Sequence, residues 1–104
     1  MHELIKRGEY KVIRTDGAEI MHFERPHMRT ILKDIGAEIA DVVILDSRTH
    51  QVMFADEEGE LNGRPVNEKA TALYRSVCKP DSAGQIHGDA VMVNDLDFAA
   101  YGTR

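Results

Sequence analysis

The sequence predicts an α+β domain of order β-β-α-β-β-α-β, a mostly antiparallel five-stranded sheet with two helices packed against it. Three observations carry this. Short runs of β-forming residues are set off by turn-forming residues. Two segments place apolar residues at i, i+3, i+4 and i+7, the period of a helix with one buried stripe. The whole is 104 residues, 42% hydrophobic and 30% charged, which suits one ordinary globular domain.

Residues 1–8 can form a flexible N-terminal segment, too short and too charged for a signal peptide. Glu9 to Thr15 (EYKVIRT) is rich in β-formers, and Ala18 to Phe23 (AEIMHF) returns as its partner. Asp16-Gly17 between them favours a type I′ hairpin turn. Pro26 suits the first position of a helix, where its missing N–H costs nothing. Met28, Ile31, Leu32 and Ile35 then form the first apolar stripe, and Gly36 stands where a C-terminal cap belongs.

Ile39 to Asp46 (IADVVILD) reads as a central strand, because the unbroken run Val42–Leu45 suggests burial on both faces. Ser47 to Gln51 is turn-like, and Val52 to Ala55 completes a second hairpin. Asp56 to Pro65 is a loop by composition, with two glycines and a proline. Asn67 can cap the next helix, and Glu68 favours the positive end of its dipole. Ala70, Leu73, Tyr74, Val77 and Cys78 make the second stripe, and Pro80 ends it. Residues 80–88 are a loop, Asp89 to Asn94 a last short strand, and residues 95–104 a weakly helical or irregular tail. Whether the two helices share one face of the sheet is open at this level.

The net charge is −5, from 18 acidic and 13 basic residues. Residues 1–34 hold seven basic and six acidic groups, and the rest of the chain six and twelve. Nucleic-acid binding wants a concentrated basic face. Lys6, Arg7, Lys11 and Arg14 are diluted by Glu3 and Glu9, so direct nucleic-acid binding is not assigned, and a charge of −5 is modest for a DNA mimic. The single cysteine excludes an internal disulfide and favours a reducing, cytoplasmic setting. No apolar run is long enough to span a membrane.

Candidate chemistry is sparse. Asp56, Glu57, Glu58 and Glu60 could offer oxygen ligands to a hard cation, but Gly59 falls at the fourth position of that loop rather than the sixth, as an EF-hand needs. The reading is solvated loop charge, with no metal assigned. The five histidines lack zinc-ligand spacing. Cys78, on the apolar stripe, reads as an inert buried side chain. Gly-rich phosphate loops and the G-x-S-x-G nucleophile motif do not occur. No catalytic residue and no cofactor is assigned.

Several segments of the second half resemble a known family. These are Ile39–Asp46, Val52–Gly59 (VMFADEEG), Leu61–Ala70 (LNGRPVNEKA) and His87–Val93 (HGDAVMV). Their order and spacing look like a small domain-of-unknown-function family of bacteriophages, plasmids and other mobile elements. Its pattern runs from a helix through G-x-I-E-x-V-x-L and N/D-E-E-G-x-L-x-G-L-P-x-N to G-D-x-V-V. Arg64 stands where that pattern has an apolar residue. The resemblance implies a phage or mobile-element accessory protein in a bacterial cytoplasm, and it implies no catalytic residue.

The leading expectation is therefore a non-enzymatic protein that binds a host macromolecule, as a counter-defence or regulatory inhibitor. The expected surface joins the loop residues Asp56, Glu57, Glu58, Asn62 and Arg64 to Asn67, Glu68, Lys69 and Arg75 of the second helix, with the Ser47–Gln51 turn beside them. A second reading is an oligomer that sequesters a nucleotide or signal molecule at subunit contacts. A third is a metal-assisted hydrolase using Asp56, Glu58 and His87. A homodimer is a further expectation, because a five-stranded sheet leaves two edges and Met21, Met28, Met53 and Met92 could supply adaptable contacts.

Overall fold

The elements run β1 (Tyr10–Ile13), β2 (Glu19–His22), α1 (Met28–Ile35), β3 (Ala40–Asp46), β4 (Gln51–Asp56), α2 (Glu68–Val77), β5 (Ala90–Asn94) and α3 (Leu96–Ala99) in the computed structural model, which describes residues 4–77 and 84–99. The strands form one sheet in the order β2-β1-β5-β4-β3, and every neighbouring pair is antiparallel. The α+β sheet is thus as the sequence predicts, with one short helix more.

Strand alternation sorts the core into two layers. Tyr10, Val12, Val52, Phe54, Val91 and Val93 point to one face, where Ile31 and Ile35 of α1 and Phe98 of α3 cover them. Ile13, Met53, Ala55, Ala90 and Met92 point to the other, under Ala70 and Leu73 of α2. The helices therefore sit on opposite faces. Phe98 meets Phe54 edge-on, with ring centroids 5.7 Å apart, a geometry that adds to its burial.

The first hairpin corrects the expected turn. Gly17 N–H donates to Arg14 O (3.0 Å), Arg14 N–H to Ala18 O (2.8 Å), and only Gly17, at φ +92°, is left-handed there. A type I′ turn would need Asp16 left-handed too. The loop is instead a three-residue turn closed by a glycine bulge, and Asp16 Oδ1 accepts from Ala18 N–H (2.9 Å). The first helix starts two residues after Pro26, with His27 as its N-cap. Gly36 ends it at φ +66°, its N–H on Lys33 O and that of Ala37 on Leu32 O, as the glycine predicts.

The run Val42–Leu45 is not in a central strand. β3 is a sheet edge, and Val42 and Ile44 are 44% and 59% exposed. The centre belongs to β5, expected only as a last short strand, where every residue is buried. It slots between β1 and β4 because α1 carries the chain from the β2 edge to the β3 edge, which leaves that place open between the two hairpins. Val77, expected on the buried stripe of α2, is 43% exposed. The lead-in is tied down: Ile5 is 1% exposed, its N–H donates to Gln51 Oε1 (2.7 Å), and Gln51 Nε2 donates back to Ile5 O (3.0 Å). Asp97 of α3 accepts from Gly8 N–H (3.1 Å), so part of the expected tail also packs on the sheet. The expectations for Cys78, Pro80, residues 1–3, 80–83 and 100–104 lie outside the described residues.

Candidate functional site

The acidic loop divides into an inner and an outer part. Asp56 ends β4 and is buried. Its Oδ1 accepts from Glu58 N–H (2.9 Å), and its Oδ2 faces Arg64 Nε at 3.0 Å and Asn62 Nδ2 at 3.5 Å. Gly59 N–H donates to Asp56 O, Asn62 N–H to Glu58 O and Arg64 N–H to Gly59 O, which winds the loop on itself. Glu57, Glu58, Glu60 and Asn62 remain outside, and Leu61 stands among them 81% exposed.

Arg64 works inward. Beyond Asp56, its Nη2 donates to the carbonyl of Gly36, the negative end of α1. Its backbone carbonyl lies 2.9 Å from His87 Nδ1. Asn67 is fully buried as the cap of α2: its Oδ1 accepts from Ala70 N–H (3.1 Å), and its Nδ2 donates to Ile13 O (2.8 Å) and Gly88 O (3.0 Å). Asp56 and Asn67 are therefore structural anchors, turned away from any partner, which corrects their place on the expected surface.

The rest of that surface is also divided. The Ser47–Gln51 turn and the Asp56–Val66 loop lie at opposite ends of β4, roughly 17 Å apart at the rise of a strand. Gln51 is buried on Ile5. Of the α2 residues, Glu68 is exposed, Arg75 Nε donates to Gly84 O (3.3 Å), and Lys69 is drawn to the first hairpin.

The lysine contact belongs to a cluster the sequence reading missed. Glu19 Oε1 meets Lys11 Nζ and its Oε2 meets Lys69 Nζ, both at 2.7 Å. Hydrogen bonds from Lys11 and then Lys69 hold the Glu19 carboxyl down at about 2, against an ordinary 4.5. Because the folded value is the lower one, the stabilisation is complete above pH 4.5 and is lost as pH falls towards 2. Glu19 is 38% exposed, so screening keeps this to about 1 kcal/mol or less. The stability difference between wild type and Glu19→Gln, followed by urea denaturation, is expected to shrink across that acid window. A difference that stays constant with pH would contradict the assignment.

The hydrolase triad is not assembled. Asp56 is committed to Arg64, Glu58 points outward, and His87 and Asp89 serve separate partners, since Asp89 Oδ1 accepts from Thr15 N–H (3.0 Å). Among the described residues no group of three His, Cys, Asp or Glu gathers at metal-ligand distance. Tyr10, stacked on His22 with centroids 4.6 Å apart, donates to Glu24 Oε1 (3.5 Å). Burial, then the Asp34 and Glu24 carboxylates, push its phenol up to about 12, so it stays protonated. An apolar cleft of about 230 Å³ beside α2 is lined by Leu4, Leu45, Leu73 and Met92, and a wider one of about 470 Å³ lies against Leu4, Lys6, Glu9, Met21 and Phe23. Among the described residues no helix is long and apolar enough to cross a membrane.

The site offers docking chemistry: a wound loop that exposes one apolar side chain, Leu61, and three carboxylates of the same loop. The composition of the loop was legible, but the outward placement of Leu61 was not. No protein-family model matches the chain, and neither a curated protein nor a solved structure matches it significantly, so the mobile-element resemblance rests on the quoted residues alone.

Proposed function

We propose that this chain is a non-catalytic binding protein whose loop 57–63 docks on a basic, apolar-centred surface of a macromolecular partner. The observation that carries the reading is Leu61, 81% exposed on a loop that is wound by its own backbone bonds and also carries the exposed Glu57, Glu58 and Glu60. A preformed apolar anchor loses little entropy on binding and can supply most of an interface's affinity. The carboxylates of the same loop steer a basic partner and reject acidic ones. In the setting that the family resemblance implies, the partner is a host protein and the chain a phage or mobile-element accessory protein acting as a counter-defence or regulatory inhibitor.

Affinity capture from bacterial lysate tests this with wild type, Leu61→Asp and the triple variant Glu57→Lys/Glu58→Lys/Glu60→Lys. A genuine partner is retained by wild type, eluted by salt, and bound roughly tenfold or more weakly by either variant, whose thermal stability is unchanged. Identical capture by all three proteins would remove the loop from the function.

A further inference from the structure

We infer that Asn62 is a self-processing site: its side-chain amide is lost to attack by the Gly63 nitrogen, and the product unwinds the docking loop irreversibly. What this does to docking rests on the reading of loop 57–63 above, whereas the chemistry does not.

The asparagines of the chain are Asn62, Asn67 and Asn94, and only Asn62 precedes a glycine. That neighbour matters because a side chain on the following residue obstructs the attack, and glycine has none. Space is open as well: Asn62 and Gly63 are both exposed, and nothing lies within 4 Å of where a Gly63 Cβ would stand. The Asn62 amide is loosely held. Among the described residues its Nδ2 meets Asp56 Oδ2 alone, at 3.5 Å, the outer limit of a hydrogen bond. The other asparagines are protected. Asn67 is fully buried, its amide bonded to Ile13 O, Gly88 O and Ala70 N–H, and a glutamate follows it. Asn94 is 8% exposed, its Nδ2 donates to Ile5 O (3.2 Å), its Oδ1 accepts from Leu96 N–H (3.0 Å), and an aspartate follows it.

The winding of the loop sets the rate. Gly63 N–H donates to Glu60 O (3.0 Å), so the attacking nitrogen is turned away until that turn opens. Residues 60–63 are all exposed, and opening such a surface turn needs far less than global unfolding. In the open turn Gly63 N gives its proton to hydroxide and bonds to Asn62 Cγ. The Cγ–Nδ2 bond breaks, and Nδ2 takes a proton from water and leaves as ammonia. Water then opens the succinimide ring at either carbonyl, giving aspartate or isoaspartate. The net change is one water consumed and one ammonia released.

Either product fits the wound loop poorly. In the aspartate, a carboxylate replaces the amide that faced buried Asp56, so like charges meet and compete for the Arg64 guanidinium. Isoaspartate runs the main chain through the side-chain carbon and adds a backbone atom between residues 62 and 63. The bonds from Gly63 N–H to Glu60 O and from Arg64 N–H to Gly59 O, 3.0 Å each, both close over that point. Neither turn closes at its present size, and Leu61 loses the frame that holds it outward.

Ageing the full chain in mildly alkaline buffer, with peptide mapping by mass spectrometry and isoaspartate labelling, tests this. Asn62 is expected to lose its amide at least roughly tenfold faster than Asn67 and Asn94. A rise in pH should speed the loss, since the attacking nitrogen must be deprotonated. Gly63→Ala should slow it, and Asn62→Gln, whose longer side chain closes a less favourable ring, should stop it. The converted fraction, separated by ion exchange, should exchange the amide hydrogens of residues 62–64 faster than fresh protein and melt at a lower temperature. Retention of the Asn62 amide in the folded chain, while the urea-unfolded chain loses it, would overturn the inference. So would a converted fraction whose hydrogen exchange matches that of fresh protein. Capture from lysate is read separately. A fresh chain that retains no partner counts against the docking reading alone, and a converted fraction that retains a partner as firmly as the fresh chain overturns the effect on docking.

Discussion

Asn67→Ala is expected to cost about 4 kcal/mol, an unusually large effect for one small polar side chain. A helix cap alone contributes about 1 kcal/mol. Asn67 does more, because its amide also donates to Ile13 O at the end of β1 and to Gly88 O at the entrance of β5. Alanine leaves two buried carbonyls and the Ala70 N–H without this partner, and each such group costs roughly 1–3 kcal/mol. Asn67→Asp is the sharper test. Aspartate caps helices as well as asparagine does, so a cap-only role makes that change nearly neutral. Here it replaces the donating amide by a carboxylate facing two carbonyl oxygens, and it should destabilise at least as much as alanine. Urea denaturation decides: a midpoint for Asn67→Asp near wild type, at unchanged slope, would reduce Asn67 to an ordinary cap.

The same residue shows what the sequence made legible. Asn67 as a cap, Gly36 as a helix end and the stripe Met28–Ile35 are local matters, settled by propensity and period, and each stands in the structure. What was hidden depends on how strands are ordered and registered. The runs Val42–Leu45 and Ala90–Val93 are both unbroken apolar stretches, and nothing local says that the first lies on an edge and the second at the centre. Order in the sheet is set by which helix crosses which face. The first hairpin is a finer case. A two-residue turn would set Ile20 opposite Ile13, whereas the three-residue turn sets Glu19 there. That single step turns Glu19 to the face of Lys11 and Lys69, and so creates a charge cluster no one-residue reading could find. The functional loop behaves likewise: its acidity is composition, but which members turn inward was decided by Arg64, whose guanidinium joins the ends of β4 and α1 and whose backbone carbonyl meets His87.

That convergence makes Gly59→Ala the other change with a large expected effect. A Cβ on Gly59 would lie 2.4 Å from the carbonyl oxygen of His87 and 3.1 Å from its Cβ. The obstacle is backbone, and it is held on several sides. Val66 bridges to His87, Gly88 N–H donates to Pro65 O (2.8 Å), Asn67 N–H donates to Ile86 O (2.8 Å), and the His87 ring is bonded to Arg64 O. Relief therefore needs the loop and the entrance of β5 to part, and about 3 kcal/mol is the expected cost. Gly63→Ala is the control. Gly63 has a left-handed φ of +71° but nothing within 4 Å of its would-be Cβ, so it should lose only about 1 kcal/mol of backbone preference. Thermal or urea melts of the pair separate contact from conformation: equal losses would mean that residue 87 yields freely. The pair also separates folding from docking. Under conditions where Gly59→Ala is still fully folded, its loop is displaced while Leu61 and the carboxylates are intact. Weakened partner capture by that variant would then show that binding requires the wound geometry, and capture at wild-type strength would show that the exposed side chains suffice on a loosened loop.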